Sequence, residues 1–169
     1  ELDLLSAATK VAGELMSIPE QGEEIEGVFV NEYKYLENFK KVILMIAGSA
    51  VQKLMQTISK EQEILMNLAD ITIQIYQAES ALLRTEKLIT LKGESSADAQ
   101  IAMTKTFFYD AASKIEKAGK DALNSFAEGD ELRMMLLGLK RFTKTNAFNP
   151  KESRQLIAQK LIEANNYCF

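Results

Sequence analysis

Apolar residues recur every three or four positions from one end of the chain to the other, the period of helices with one buried face. In the first stretch, Leu2 to Ile18, the residues Leu4, Leu5, Ala8, Val11, Ala12 and Leu15 keep this spacing until Pro19 and Gly22 end it. An acidic loop, Glu20 to Glu26, follows. The pattern predicts a second helix from about Val28 to Ile58 on the stripe Leu36, Phe39, Ile43, Ala47, Ala50, Leu54 and Ile58. Its centre, Val42 to Ala47, is apolar all round and marks the deepest part of the core. That centre is too short to cross a bilayer, which takes about 20 such residues. Ser59 with Gln62 has capping-box form and opens a third helix through Ile64, Leu68, Ile71, Ile75, Ala78, Leu82 and Ile89, stopped at Gly93. Ser95 or Ser96 caps a fourth, through Ile101, Phe108, Ala112, Ile115, Ala118, Ala122 and Phe126, stopped at Gly129. Asp130 opens a short fifth helix through Leu132, Met135, Leu136 and Leu139, whose cations Lys140, Arg141 and Lys144 suit the negative end of the helix dipole. Asn149 and Pro150 form a cap and first-turn pair for a last helix through Leu156, Ile157 and Leu161.

The three central helices each run roughly 30 residues, or about 45 Å at 1.5 Å per residue. Short connections make neighbours antiparallel. The predicted fold is all-α, an up-and-down helical bundle of three to four long helices with shorter terminal helices. Residues 1–27, a linker helix with its acidic loop, are expected to stand apart from a bundle domain of residues 28–169. Glu37 with Lys41, Asp110 with Lys114, and Glu116 with Lys120 are acid-first pairs on helix exteriors.

Composition narrows the chemistry. At 169 residues, 47% hydrophobic and 26% charged, the chain has the make-up of one folded domain. Its 20 basic against 24 acidic side chains leave a net charge of −4, which gives no attraction toward nucleic acid. One cysteine, Cys168, excludes an internal disulfide and suits a reducing, cytoplasmic compartment. With no histidine, the chain lacks the usual general base at neutral pH and the commonest metal ligand. Asp70 and Glu79 lie on one helix but about 13.5 Å apart along its axis, too far to share an ion unaided. No phosphate-cradling Gly-rich loop and no nucleophile elbow occurs. No catalytic, metal or cofactor residue is therefore assigned in this chain, and no membrane insertion.

Three groups of residues carry two readings each. Glu79, Arg84 and Glu86 fall among apolar positions of the third helix; Glu79 reads as a base or, preferably, as half of an ion pair between helices. Met45, Met55, Met66, Met103, Met134 and Met135 could line an adaptable acyl or partner groove, though methionine more often fills irregular core gaps. Tyr33 with Tyr35, and Phe107 with Phe108 and Tyr109, are aromatic clusters on closely spaced positions that face different ways. Part of each cluster must leave the bundle core, so Tyr33, Tyr35, Phe107 and Tyr109 are the candidate interface residues.

Several segments resemble a known family: Asn38–Lys41, Ala47–Leu54, Gln62–Asp70, Ala78–Arg84 and, most distinctively, Gly129-Asp130-Glu131-Leu132-Arg133-Met134-Met135-Leu136-Leu137-Gly138 within Glu128–Arg141. Together they are similar to the extra C-terminal helical domain of bacterial acyl-CoA dehydrogenases of the very-long-chain type. The resemblance covers nearly the whole chain. It implies a parent enzyme that uses FAD to remove two hydrogens across the α and β carbons of a fatty acyl-CoA. In the family a carboxylate takes the α-proton, and that residue and the flavin contacts lie upstream. The extra domain packs over the partner subunit of a dimer. The expected partners are thus the rest of the parent chain and a second subunit in a homodimer. Glu1 in place of a starting Met, with no leader sequence after it, agrees with a piece cut from something longer. A free-standing helical interaction module and a small acyl- or lipid-binding bundle are the rival readings.

Overall fold

The computed structural model describes residues 4–15 and 27–169. Glu1 to Asp3, the breaker pair Pro19 and Gly22, and the acidic loop lie outside the described residues. Six α-helices follow in order: α1 (Leu4–Leu15), α2 (Val30–Leu54), α3 (Gln62–Lys92), α4 (Asp98–Phe126), α5 (Gly129–Phe142) and α6 (Pro150–Ala164). No strand occurs among the described residues. The all-α bundle read from the sequence is the fold observed.

Contacts between side chains fix the directions. Lys40 meets Glu79 while Tyr33 meets Glu86, so α2 and α3 run antiparallel. Thr85 meets Thr104 across α3 and α4 in the same sense, after a connection of only a few residues. Gly93 stops α3 with φ +82, a left-handed conformation in which a Cβ would be strained. The fourth member of the bundle is broken in two. α5 covers the second half of α4, where Leu139 lies over Gly119, and α6 covers the first half, where Arg154 meets Asp110 and Lys160 meets Asp98. The two short helices thus run end to end along α4, separated by the loop 143–149.

The core forms where the predicted stripes meet. Phe39 and Phe108 are fully enclosed and stack with ring centroids 6.2 Å apart. Ile46, Ile71, Leu82, Ile115 and Leu123 surround them, also fully enclosed. Removing each such side chain from water contributes about 1.5–3 kcal/mol. The buried hydroxyls of Thr85 and Thr104 are 2.9 Å apart, a polar contact satisfied between α3 and α4.

Several local expectations give way. α1 is not detached. It lies antiparallel along α2, Glu14 pairing with Lys41 at 2.5 Å, and a Cβ added to Gly48 would stand 2.2 Å from the Ala8 Cβ. The missing side chain at Gly48 is what lets the two backbones approach. The second helix does not run unbroken to Ile58. Met55 takes φ 48, and Met55–Lys60 winds as a tighter 3-10 helix. Ser59 lies inside that turn with its hydroxyl donating to Gln56 O, so no capping box forms, and Glu61 precedes α3. Ser95 and Ser96 likewise sit in a 3-10 turn; Asp98 instead accepts from the Ala99 N–H at the start of α4. α4 ends at Phe126, short of Gly129, and Gly129 opens α5 with Glu128 as its cap residue. Asn149 does cap α6, accepting from the Glu152 N–H, with Pro150 in the first turn.

By length and composition Val30–Lys60 is long and apolar enough to cross a membrane, contrary to the expectation drawn from its six-residue centre. In this fold it is the core helix, packed by α1, α3, α4 and α5.

Candidate interaction surface

Glu79, Glu86 and Tyr33, singled out in the sequence, are engaged within the chain. Lys40 Nζ donates to Glu79 Oε1 at 2.7 Å, so Glu79 is half of an ion pair between α2 and α3. Glu86 Oε2 accepts from Tyr33 Oη at 2.5 Å. Burial, with Glu86 and then Glu79 nearby, pushes the Tyr33 phenol up to about 12. Arg84 is exposed. Cys168 is exposed, its Sγ 3.7 Å from Lys160 O. Lys41 and Asp110 do not form their acid-first pairs but reach across to Glu14 and Arg154, because neighbouring helices present closer partners.

The aromatic clusters are used inside the fold. Tyr35 Oη accepts from the Asn146 N–H at 2.8 Å, pinning the loop between α5 and α6. Tyr109 packs on Phe148 of the same loop, ring centroids 5.5 Å apart. Phe107 is half-buried against the core, and Phe108 lies within it. The four candidate interface residues are half-buried. Tyr33, Tyr35 and Tyr109 meet partners on other elements of this chain.

One buried charge escaped the sequence reading. Glu32, in the first turn of α2, is 6% exposed. Burial raises its carboxyl above the ordinary range, opposed by a hydrogen bond from its own backbone N–H and by Lys105. Its place beside Tyr33 and Phe29 in a mixed segment gave no periodic signal.

The methionines do not share a lining: Met45 is buried, Met103 and Met135 half-buried, and Met55, Met66 and Met134 exposed on different elements. An apolar groove of about 390 Å³ runs over α5, between Leu132, Leu136, Leu137, Arg133 and Lys140. A polar groove of about 560 Å³ lies between α3 and α4, lined among others by Asp70, Gln74, Lys114, Lys117 and Asp121. The first draws its walls from a single helix. No cluster of three acidic or cysteine side chains suited to a metal ion occurs among the described residues.

The outer surfaces of the long helices differ in kind. On α4 the outward positions are Lys114, Glu116, Lys117, Lys120 and Asp121, all exposed, with Lys117 bonded to Asp121. On α3, opposite the buried stripe of Ile64, Ile71, Ile75, Ala78 and Leu82, lies a second apolar stripe of Met66, Ile73, Tyr76, Leu83 and Leu91. All five are exposed, Tyr76 by 72% and Leu91 by 71%. A helix apolar on both faces is the pattern of an element covered on both sides.

A family model described as acyl-CoA dehydrogenase, C-terminal domain, matches residues 38–141. A probable acyl-CoA dehydrogenase of Bacillus subtilis (strain 168) is 38% identical over 167 residues, which is 99% of this chain and 28% of that protein. The crystal structure of an acyl-CoA dehydrogenase complexed with FAD from Bacillus anthracis superposes with a TM-score of 0.90 at 37% identity, again over 99% of this chain and 28% of the other. The chain spans a little over a quarter of the length of these relatives.

Proposed function

The chain belongs to the acyl-CoA dehydrogenase family as its C-terminal domain, and from that membership we propose that it is the non-catalytic helical domain of an FAD-dependent enzyme of the very-long-chain type. The parent acts on fatty acyl-CoA in β-oxidation, in the cytoplasm, with its flavin and its catalytic carboxylate in the remainder of the chain. The domain's own task is structural, holding two parent subunits together as a homodimer.

The observation that carries this reading is the fate of the polar side chains. The groups with chemical potential, Glu79, Glu86 and Tyr33, bond to one another's helices instead of converging on a cavity. Such an arrangement stiffens a scaffold and leaves none of these three groups poised to react. A small acyl-binding bundle is the weaker reading, since the apolar groove on α5 would give an acyl chain a single wall.

Deleting residues 28–169 from the full-length parent tests the proposal. Sedimentation should then report a weakened dimer while flavin absorbance is retained. Undiminished dimerisation would overturn the assembly role.

A further inference from the structure

We propose that the outward face of α3 is complementary to itself, and that two copies of the chain pair through it as antiparallel helices about a two-fold axis at Gln77. The inference rests on the assembly role proposed above and deepens it by naming the surface that joins the subunits.

The outward face has the spacing of a coiled-coil seam. Met66, Ala69, Ile73, Tyr76, Ser80 and Leu83 alternate by three and four residues, and all are exposed. From Met66 to Leu91 the apolar stripe extends about 38 Å. Packing inside the bundle does not explain it, because α2 and α4 take the opposite face of the helix. Contiguous exposed apolar surface of this kind marks a contact site.

The charges beside the seam say what fits it. Glu63, Asp70, Gln77 and Arg84 recur every seven residues along the edge nearest α4, all exposed, with Lys92 at the far end. The acids thus stand before Gln77 and the bases after it. Asp70 and Arg84 are roughly 21 Å apart along the axis, too far to meet within one helix. Neither forms an ion pair with another of the described residues.

Antiparallel pairing lays this edge against the same edge of the other copy in reverse order. With the two-fold at Gln77, Asp70 of each copy meets Arg84 of the other, and Glu63 comes beside Lys92. Tyr76, one residue from the axis, meets its own counterpart, and Ile73 lies against the turn from Ser80 to Leu83. Each unlike pair forms twice. Parallel pairing would set the edge against the opposite one, where Glu79 and Glu86 are already bonded to Lys40 and Tyr33 of α2. Lys87 falls near the end of the seam, where its stem can pack while the ammonium stays in water.

The test uses the full-length parent with a photocrosslinking benzoylphenylalanine at position 77 or, as the control, at position 117 on the charged face of α4. Position 77 should link α3 to α3, a product that only two copies can form, and position 117 should not. Arg84→Asp sets acid against acid on both sides of the axis and should lower the yield about tenfold, as Asp70→Arg should by setting base against base. The two changes together should restore it. Retained flavin absorbance shows that each variant is folded. Should a reversal not fold, a loss with Arg84→Gln that is absent with Arg84→Lys makes the same comparison. A crosslink from position 77 to any other part of the parent, no crosslink at all, or no recovery in the double variant overturns the proposal. An α3-to-α3 crosslink in an enzyme whose dimer survives deletion of residues 28–169 would uphold the pairing face while the assembly role falls. A dimer weakened by that deletion, without the crosslink, would uphold the role and overturn this face.

Discussion

α3 and α4 are neighbours of 31 and 29 residues, packed on each other and both on α2, yet they meet the outside differently. Their inner faces follow one rule: Ile71, Ala78 and Leu82 on one, Phe108, Ile115 and Ala122 on the other, all enclosed. Their outer faces do not. α4 shows a row of lysines and acids that water can solvate at no loss, while α3 shows Met66, Ile73, Tyr76 and Leu83. Since the interior demands the same of both helices, the outer difference records what lies beyond each one. The bundle's own packing explains the inner face of α3 and leaves its outer face apolar and exposed.

The sharpest way to break the inner likeness is to empty it. Phe108→Ala removes an enclosed ring stacked on Phe39 and should cost about 3–5 kcal/mol in urea unfolding of the chain. Next in size is the hydroxyl contact between the two inner faces. Thr85→Val strands the Thr104 hydroxyl and should cost about 1–3 kcal/mol by the same measurement, while the double change Thr85→Val with Thr104→Val should cost clearly less. The smallest effect belongs to the solvated side: Lys117→Ala, which removes an exposed i,i+4 pair on α4, should shift unfolding by no more than about 0.5 kcal/mol. A large loss there would mean that α4 too has a covered outer face, and the contrast with α3 would collapse.

Much of this architecture was readable before any coordinates. The inner stripes of α3 and α4, the Gly93 stop and the Asn149–Pro150 cap depend on local spacing and backbone chemistry, which a single sequence carries. So did the preference for Glu79 as an ion-pair member, since nothing nearby could have made it a base. Less was legible where distant segments decide. Tyr35 and Tyr109 point out of the core of the three long helices, as their positions require, but the loop that receives them comes more than a hundred residues after Tyr35. Ser59 and Gln62 had the right letters for a cap, yet the turn at Met55 placed Ser59 in a tighter helix that spent its hydroxyl on Gln56, while Gln62 opens α3. The outer stripe of α3 was present in the letters all along. It shares the period of the inner stripe, and periodicity alone could not separate the face toward this core from the face toward another.

The position of that stripe also bears on how the enzyme is made. In the family this bundle is the C-terminal domain, so a ribosome reaches it after the rest of the chain. Each long helix packs on the next one in sequence, which favours rapid closure through local contacts. By the time α3 leaves the exit tunnel, α2 has already been synthesised, so the inner stripe of α3 has a partner as soon as it forms, while the outer stripe, about 38 Å long, stays open to water.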